Sequence, residues 1–497
     1  MANDENQGVA TQHKDYSYYW REWQKCRDVF SGQRAVHKAG EIYLPKLSDQ
    51  SNNEYDAYKM RASFYNASWR TVAGLCGMLF RKAPTQELPA PIAEYANDIT
   101  LENVELEAFA KEVAYEVLEV GRVGILVDFP ENPDAINMSV ADADALKLRP
   151  YMRIYSTENI LNWKFRLINN VRVPCLIVLT EDACLDSGEY ENFWEKTETR
   201  YRVLSLDNDG YYHVRIFRKD EQKNDLLVSE IIPQMNGKPL AYIPFVCIGI
   251  DGVKIDCEEP PLIDLVDVNL SHYRTTADYE HACHFTGLPT PWAAGFEPPN
   301  GDDGKPQALR IGSSSAWIAR DPSAHCGYLE FTGQGLTALT ANLDRKEKQM
   351  AVLGARMLAD DKAGVEAYKT VATRQVTETS ILSSIAISIS KGIRIALTWF
   401  ADWAGASGEI KYEINREFLP VAVDAQTLAQ YMAMWQGGGI SEGEFYDLLQ
   451  RADLIESEKT LEEHQAEIDA APPPAPKTST NNSLTDIPQP DKIAVSE

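Results

Sequence analysis

The residues best suited to chemistry are His281, Cys283 and His284, two imidazoles and a thiol within four positions. Imidazole nitrogen and thiolate sulfur are ordinary zinc ligands. On a helix, however, positions 281 and 284 share a face and 283 does not. No second ligand pair follows at finger spacing, and His325 with Cys326 lies far along the chain. The cluster is therefore read as packing or rim residues, and no metal is expected. Gly237-Lys238-Pro239 and Gly304-Lys305-Pro306 lack both the earlier glycine and the Ser/Thr of a phosphate loop. Gly312-Ser313-Ser314-Ser315-Ala316 fails at the last position of a nucleophile elbow. Gly121 and Gly124 stand between a helical pattern and a strand, whereas a phosphate loop follows a strand and opens a helix. They are read as a helix-ending turn and a close-packing position. Asp207-Asn208-Asp209-Gly210 lacks the twelve-residue ligand spacing of a calcium loop and reads as a hairpin turn. With 74 acidic residues, no carboxylate pair can be singled out as acid and base. No catalytic residue and no cofactor is nominated, and the chain is not read as an enzyme.

Composition narrows the class further. At 497 residues and 44% hydrophobic, the chain can hold two to four domains or one elaborated subunit. The net charge of −26 is the wrong sign for gripping nucleic acid by its phosphates. Eight scattered cysteines without a C-x-x-C pair suit reduced thiols in a cytoplasmic setting. The polar, acidic first residues do not form a secretory signal. No run approaches 18 consecutive apolar residues, so no membrane-spanning helix is expected.

Two long amphipathic rods dominate the pattern. Leu262, Val266, Leu270, Tyr273 and Ala277 form one helical stripe that can run to about Phe285. Leu336, Leu339, Leu343, Met350, Leu353 and Met357 form a second at heptad a and d positions, with one d position taken by Lys346. The segment between them is rich in Gly, Pro and Ser and carries Trp292, Phe296 and Trp317. This predicts either a stalk with a compact tip or an ordinary helical hairpin inside an enzyme. Before the rods come helices at about 54–78 and 101–120, then strands at 123–129, 151–155, 158–163, 173–179, 201–206, 211–217 and 243–248. After them a helix from about 373 to 404 is apolar on nearly every side, which predicts burial. Gly437-Gly438-Gly439 separates helices at 425–436 and from 441, the second opened by the Ser441/Glu444 capping box. The fold class is α+β, mainly helical.

Taken in order over residues 16–450, these features resemble a family. The residues that carry it are Arg27-Asp28 with Gly32, Gly40-Glu41-Ile42-Tyr43-Leu44-Pro45, 58–62 through 80–84, 121–128, and Glu158-Asn159-Ile160-Leu161-Asn162-Trp163. Pro260-Pro261-Leu262 to Asn269, His272-Tyr273-Arg274, Ala277-Asp278-Tyr279, Thr379-Ser380-Ile381-Leu382 and Trp403-Ala404-Gly405 complete it. The chain is similar to the portal, or head-to-tail connector, proteins of tailed bacteriophages. The resemblance implies a dodecameric ring with wing, stem, clip and crown, placed at one capsid vertex in the virion after assembly in the host cytoplasm. It implies wing at 16–258 and 373–423, stem helices at 259–286 and 334–358, a clip at 287–333, a channel loop at 359–372 and a crown at 424–470; the flanking stretches 1–15 and 471–497 are expected from their own composition to be disordered. Implied partners are double-stranded DNA passing without sequence preference, the terminase, major capsid and scaffold proteins, and a head–tail adaptor, with no membrane. Candidate DNA-facing residues are Asp360, Asp361, Lys362 and Lys369. Candidate terminase or adaptor contacts are Trp292, Phe296, Glu297, Asp302, Asp303, Arg310 and Trp317. Stem packing is expected at Leu262, Val266, Leu270, Tyr273, Leu339, Leu343, Met350 and Leu353. A different ring-forming virion part, such as an adaptor or plug, is the alternative.

Overall fold

The computed structural model describes residues 8–130, 146–185, 196–235, 237–287, 290–296, 319, 322–329, 334–356, 380–418, 425–452, 454–455 and 459–470. The chain divides into two compact units, Met1–Leu419 and Pro420–Glu497. The described architecture is α+β.

In the first unit the helices are α1 (Lys14–Ser31), α2 (Gln33–Ala39), α3 (Asn52–Arg61), α4 (Ala67–Leu79), the single-turn α5 (Ala90–Ala93), α6 (Leu106–Val120), α7 (Ile263–Gly287), α8 (Gln334–Arg356) and α9 (Ile381–Trp403). The aromatic stripe of α1 buries Tyr16 and Trp23 with Cys26, Val29 and Phe30. Disorder expected through residue 15 is corrected for residues 8–15. His13 N–H donates to Leu161 O at 2.9 Å, Asn162 Nδ2 donates to Thr11 O at 3.0 Å, and the His13 ring stacks 3.9 Å from Trp163. A polar segment needs no apolar stripe to be ordered when a neighbouring strand supplies backbone partners. Residues 1–7 lie outside the described residues.

The single helix expected over 54–78 is two helices. Ala62 turns to an extended conformation with ψ of 112°, and Asn66 caps α4 by accepting from Trp69 N–H at 3.1 Å. Gln33 Oε1 accepts Phe64 N–H at 3.1 Å, and Asn269 Nδ2 donates to Tyr65 O at 2.8 Å. The freed backbone groups of the break are thus satisfied by residues remote in sequence, which periodicity cannot register.

Strands run β1 (Thr85–Glu87), β2 (Arg122–Asp128), β3 (Tyr151–Ser156), β4 (Ile160–Ile168), β5 (Val171–Leu185), β6 (Lys196–Leu206), β7 (Tyr212–Lys219), β8 (Asp225–Ile231), β9 (Gln234–Met235), β10 (Lys238–Pro239), β11 (Phe245–Gly249), β12 (Thr290–Ala294), β13 (His325–Leu329) and β14 (Lys411–Glu413). An antiparallel sheet in the order β11-β2-β3 forms the centre, and a meander β4-β5-β6-β7-β8 lies beyond it. Gly121 ends α6 at φ 80° and ψ 0°, its N–H donating to Val117 O at 2.9 Å. A side chain at Gly124 would collide with the Phe245 ring. Both glycines therefore serve turning and close packing. Asn169 and Asn170, both at positive φ (49° and 65°), make the β4–β5 turn, and β5 is far longer than the 173–179 expected. That turn carries no glycine, so its signal was passed over. Strand β8 was not foreseen either.

The apolar helix begins, among the described residues, at Ile381, with Ser380 as its cap accepting from Ser383 N–H at 3.2 Å; residues 373–379 lie outside them. By length and composition alone α9 could cross a membrane. The expectation counted consecutive apolar residues, and serines interrupt the run without lowering the average enough. Within the fold α9 lies on β11 and β2. Leu382, Ile385, Ala386, Ile389, Ile393, Ala396, Leu397 and Phe400 are buried. Ser388 Oγ donates to Ile250 O at 3.1 Å, and Gly392 admits Ile248 where any side chain would collide.

The second unit consists, among the described residues, of α10 (Ala425–Gln436), α11 (Glu442–Arg451) and α12 (Leu461–Ala470). The Ser441/Glu444 capping box is present. The acidic run after it holds α12, opened by Thr460 and Glu463, where no helix was expected. The tail at 471–497 lies outside the described residues.

Candidate functional site

Helices α7 and α8 form an antiparallel stalk. His272 faces Glu347, Thr275 faces Lys346 and Tyr279 meets Thr340, so residue numbers rise on one rod as they fall on the other. At 1.5 Å per residue the 25 residues of α7 span about 37 Å. Strands β12 and β13 pair at its far end as an antiparallel hairpin, Thr290 opposite Leu329 and Ala294 opposite His325.

The lower part of the stalk is built into the first unit. Leu262, Val266, Leu270, Tyr273 and Met350 are buried, Leu353 packs partly against the same core, and Leu339 and Leu343 are half-buried. Asn269 lies on this stripe and is fully buried. Its Oδ1 accepts from Ser68 Oγ at 2.8 Å and from Ser68 N–H at 3.1 Å, while Nδ2 holds Tyr65 O. Tyr58 O–H donates to Asp278 at 2.6 Å, and Lys25 pairs with Asp267 at 2.6 Å. An asparagine on an apolar stripe was the available signal for this clamp, and sequence reasoning passed over it.

Lys346 is the heptad exception, and it is buried. Its Nζ donates to Ser271 O at 2.8 Å and to Thr275 Oγ1 at 2.5 Å across the rods. Burial lowers the Lys346 pKa, and Arg274 and Arg345 lower it further. A lone polar residue in such a seam fixes register at some cost in stability. Beside it, burial lowers the pKa of His272 despite Glu347 at 3.5 Å.

At the tip, Trp292 is 43% exposed and lies over Gly327, its partner in the ladder; Tyr328 is 57% exposed. Phe296 is half-buried. Glu297, Asp302, Asp303, Arg310 and Trp317, like the loop residues Asp360, Asp361, Lys362 and Lys369, lie outside the described residues. The sequence-predicted tip set is thus brought together only as far as Trp292 and Phe296.

The chemistry-bearing residues elsewhere are committed to packing. His281 packs edge-on to Tyr58 and Phe285, and His284 Nε2 sits 3.3 Å from Arg61. Among the described residues no three His, Cys, Asp or Glu side chains are placed to hold a metal. Arg27 gathers Glu116 at 2.6 Å, Glu119 at 2.5 Å and Glu158 at 2.8 Å, tying α1 to α6 and to the turn before β4. Burial outweighs that guanidinium at Glu116 and pushes its carboxyl up to about 7. Arg202 likewise holds Asp128 at 3.2 Å and Glu181 at 2.7 Å. A cleft of about 670 Å³ is lined by Phe165, Pro174, Tyr242, Cys247, Trp399 and Asp256, among others. Burial pushes the Cys247 thiol up, away from the thiolate a nucleophile needs.

A family model described as a domain of unknown function (DUF4055) matches residues 261–404, from the start of the stalk to the end of α9. No curated protein matches. Solved structures similar to the chain include the neck of an empty gene transfer agent particle with C6 symmetry, at 11% identity and TM-score 0.37 over 78% of this chain and 92% of that one. The neck of a native particle with C12 symmetry matches at 10% identity and TM-score 0.34, and a native virion at 9% and 0.36; each covers 83% of this chain and 98% of the other. Scores at this level do not establish a shared fold.

Proposed function

We propose that this chain is the subunit of a portal ring at one capsid vertex of a phage-like particle, the conduit for packaging and releasing double-stranded DNA. The observation that carries the reading is the stalk. Its base is clamped into the first unit through Asn269, Asp278 and Asp267; beyond that, α3 reaches it through Tyr58 at His281 and Arg61 at His284, and toward the tip Phe285, Gly287, Trp292 and Ala294 are exposed among the described residues. Half-buried Leu339 and Leu343 with exposed Trp292 and Tyr328 suit neighbours supplied by further copies.

In this reading the stalk and tip are stem and clip, the sheets with α9 the wing, and the second unit the crown. The tip meets the terminase motor and later the head–tail adaptor, while capsid and scaffold proteins surround the wing. The subunit is structural rather than enzymatic, and the carboxylates gathered at Arg27 and Arg202 are held in ion pairs. Twelve copies at −26 each would carry about −310 charges, a surface that repels phosphates and lets duplex slide. Lys362 and Lys369 would make the brief phosphate contacts.

Electron microscopy of the purified protein tests the reading. Top views should show closed rings with a central hole wider than ~20 Å, enough to pass a duplex whose major groove alone is ~12 Å wide. A monomer or dimer at every concentration and salt would sink it. For the loop, Lys362→Ala with Lys369→Ala should leave rings intact and lower packaging or genome retention; unaltered packaging removes those lysines from the role.

A further inference from the structure

Among the described residues, the second unit holds an uncharged stretch that stays exposed. Residues 425–441 contain no charged side chain, in a protein that is 25% charged. Helix α10 fills most of this stretch, with Leu428, Tyr431, Met432, Met434 and Trp435 as its large apolar residues. Its polar residues, Gln426, Thr427, Gln430 and Gln436, carry no charge, and apolar side chains of this size favour burial. Here residues 431–436 are all exposed, Met432 at 42% and Met434 at 48%.

The face of α10 toward its own unit is accounted for. Trp435 stacks on Phe445 of α11, ring centres 5.1 Å apart and planes 5° apart, and Phe445 is buried. The turn that folds α11 back is closed by Gly439 N–H donating to Met434 O at 2.8 Å, with Gly438 at φ 74°. What remains are two flanks. Successive helical residues are about 100° apart, so Met432 and Met434 project roughly 160° from one another. One partner surface cannot cover both.

We propose that α10 is an inter-subunit helix, with Met432 facing one neighbouring copy of this chain and Met434 facing the other. Charge selects the occupant. Two copies at −26 repel wherever their acidic surfaces meet, and 425–441 is the longest stretch on which they can touch without opposing charge. Two different flanks, each meeting the other flank of the next copy, make a head-to-tail contact, the kind that closes rings. Unbranched methionines adapt to such repeated contacts without a single fixed geometry. This inference rests on the ring reading and names the surface that drives it.

The test uses the full chain. Wild type, Met432→Glu, Met434→Glu and the double variant are weighed by mass photometry across a concentration series, with Gln465→Glu on exposed α12 as the charge control. Each single variant should raise the concentration at which rings half-dissociate at least tenfold, and the double should abolish rings. Gln465→Glu should assemble as wild type. Helix content, and melting temperature measured below the concentration at which wild type assembles, should not change, because both methionines are exposed. Rings that form normally in both single variants overturn the α10 contact and leave the ring reading intact. A wild type that forms only dimers, broken by both substitutions, overturns the two-flank geometry. A wild type that is monomeric throughout sinks the ring reading itself, and α10 with it.

Discussion

Helix α9 is apolar on nearly every side and α10 carries no charge, yet twelve residues of α9 are buried in the first unit while residues 431–436 of α10 are all exposed. The difference lies in what each sequence offers a neighbour. Helix α9 carries small residues, Ser388 and Gly392, on the side that meets β11, so the sheet approaches to contact and Ser388 supplies a hydrogen bond to Ile250. Helix α10 carries Met432 and Met434 on opposite flanks, and both are exposed among the described residues. An apolar pattern predicts that a helix is buried; which chain buries it depends on how much partner surface lies within reach.

The contrast can be broken by placing the same charge in each helix. Ile389→Asp puts a carboxylate among fully buried side chains and should cost at least ~4 kcal/mol, read as loss of soluble protein or of cooperative melting. Met432→Asp should leave melting within the ~0.5 kcal/mol typical of surface changes and act only on assembly. A variant at 389 that melts like wild type would mean α9 is not the core helix described.

A gentler probe asks how tight the α9 contact is. Gly392→Val must displace Ile248, and overpacking of this kind costs ~1–3 kcal/mol. Differential scanning calorimetry should show a lower melting temperature; no change would mean the sheet yields freely.

Helix α6, which packs under α9, is held by the Arg27 cluster, and this gives a pH signature. The Glu116 carboxyl is raised by burial from an ordinary 4.5 to about 7. Between those values the folded chain keeps a proton that the unfolded chain has lost. The stabilisation is full below about pH 4.5 and disappears as pH rises through about 7. Glu116→Gln, which stays neutral, should therefore show a smaller fall in melting temperature than wild type between about pH 5 and about pH 8. Equal slopes would remove Glu116 as a source.

The smallest effect is expected at Lys346. Replacing a buried charge by an apolar side chain of similar length is often neutral or mildly stabilising. Lys346→Met should change the melting temperature little or raise it slightly, and should loosen stalk register, seen as faster hydrogen exchange across 334–356. A marked destabilisation would show that the bonds to Ser271 and Thr275 outweigh the cost of burying the ammonium.

Much of this was legible in the residues themselves. The stripe from Leu262 to Ala277 placed α7, the interruption at Lys346 marked the polar pin, and Gly121 marked the end of α6, because helical period and glycine freedom are local properties. Tertiary partners decided what was missed. The break at 62–66 depends on Gln33 and Asn269, β8 is a strand because β7 lies beside it, and residues 8–13 are placed by β4 and Asp225. For the candidate site, the sequence indicated a stalk and a tip but not the clamp through Asn269, Tyr58 and Lys25, whose members lie more than 200 positions apart in the chain.

The sequence by itself determined that this is an acidic α+β chain with two long rods, a distinct segment between them, and one helix, at about 373–404, too apolar to stay in water. Those facts follow from side-chain type and spacing, which act over one or two turns. Only the tertiary structure decided that α9 is covered by the sheet and that residues 431–436 of α10 are exposed among the described residues. Burial is a property of surfaces brought together from distant residues, and no local pattern records which surfaces those will be.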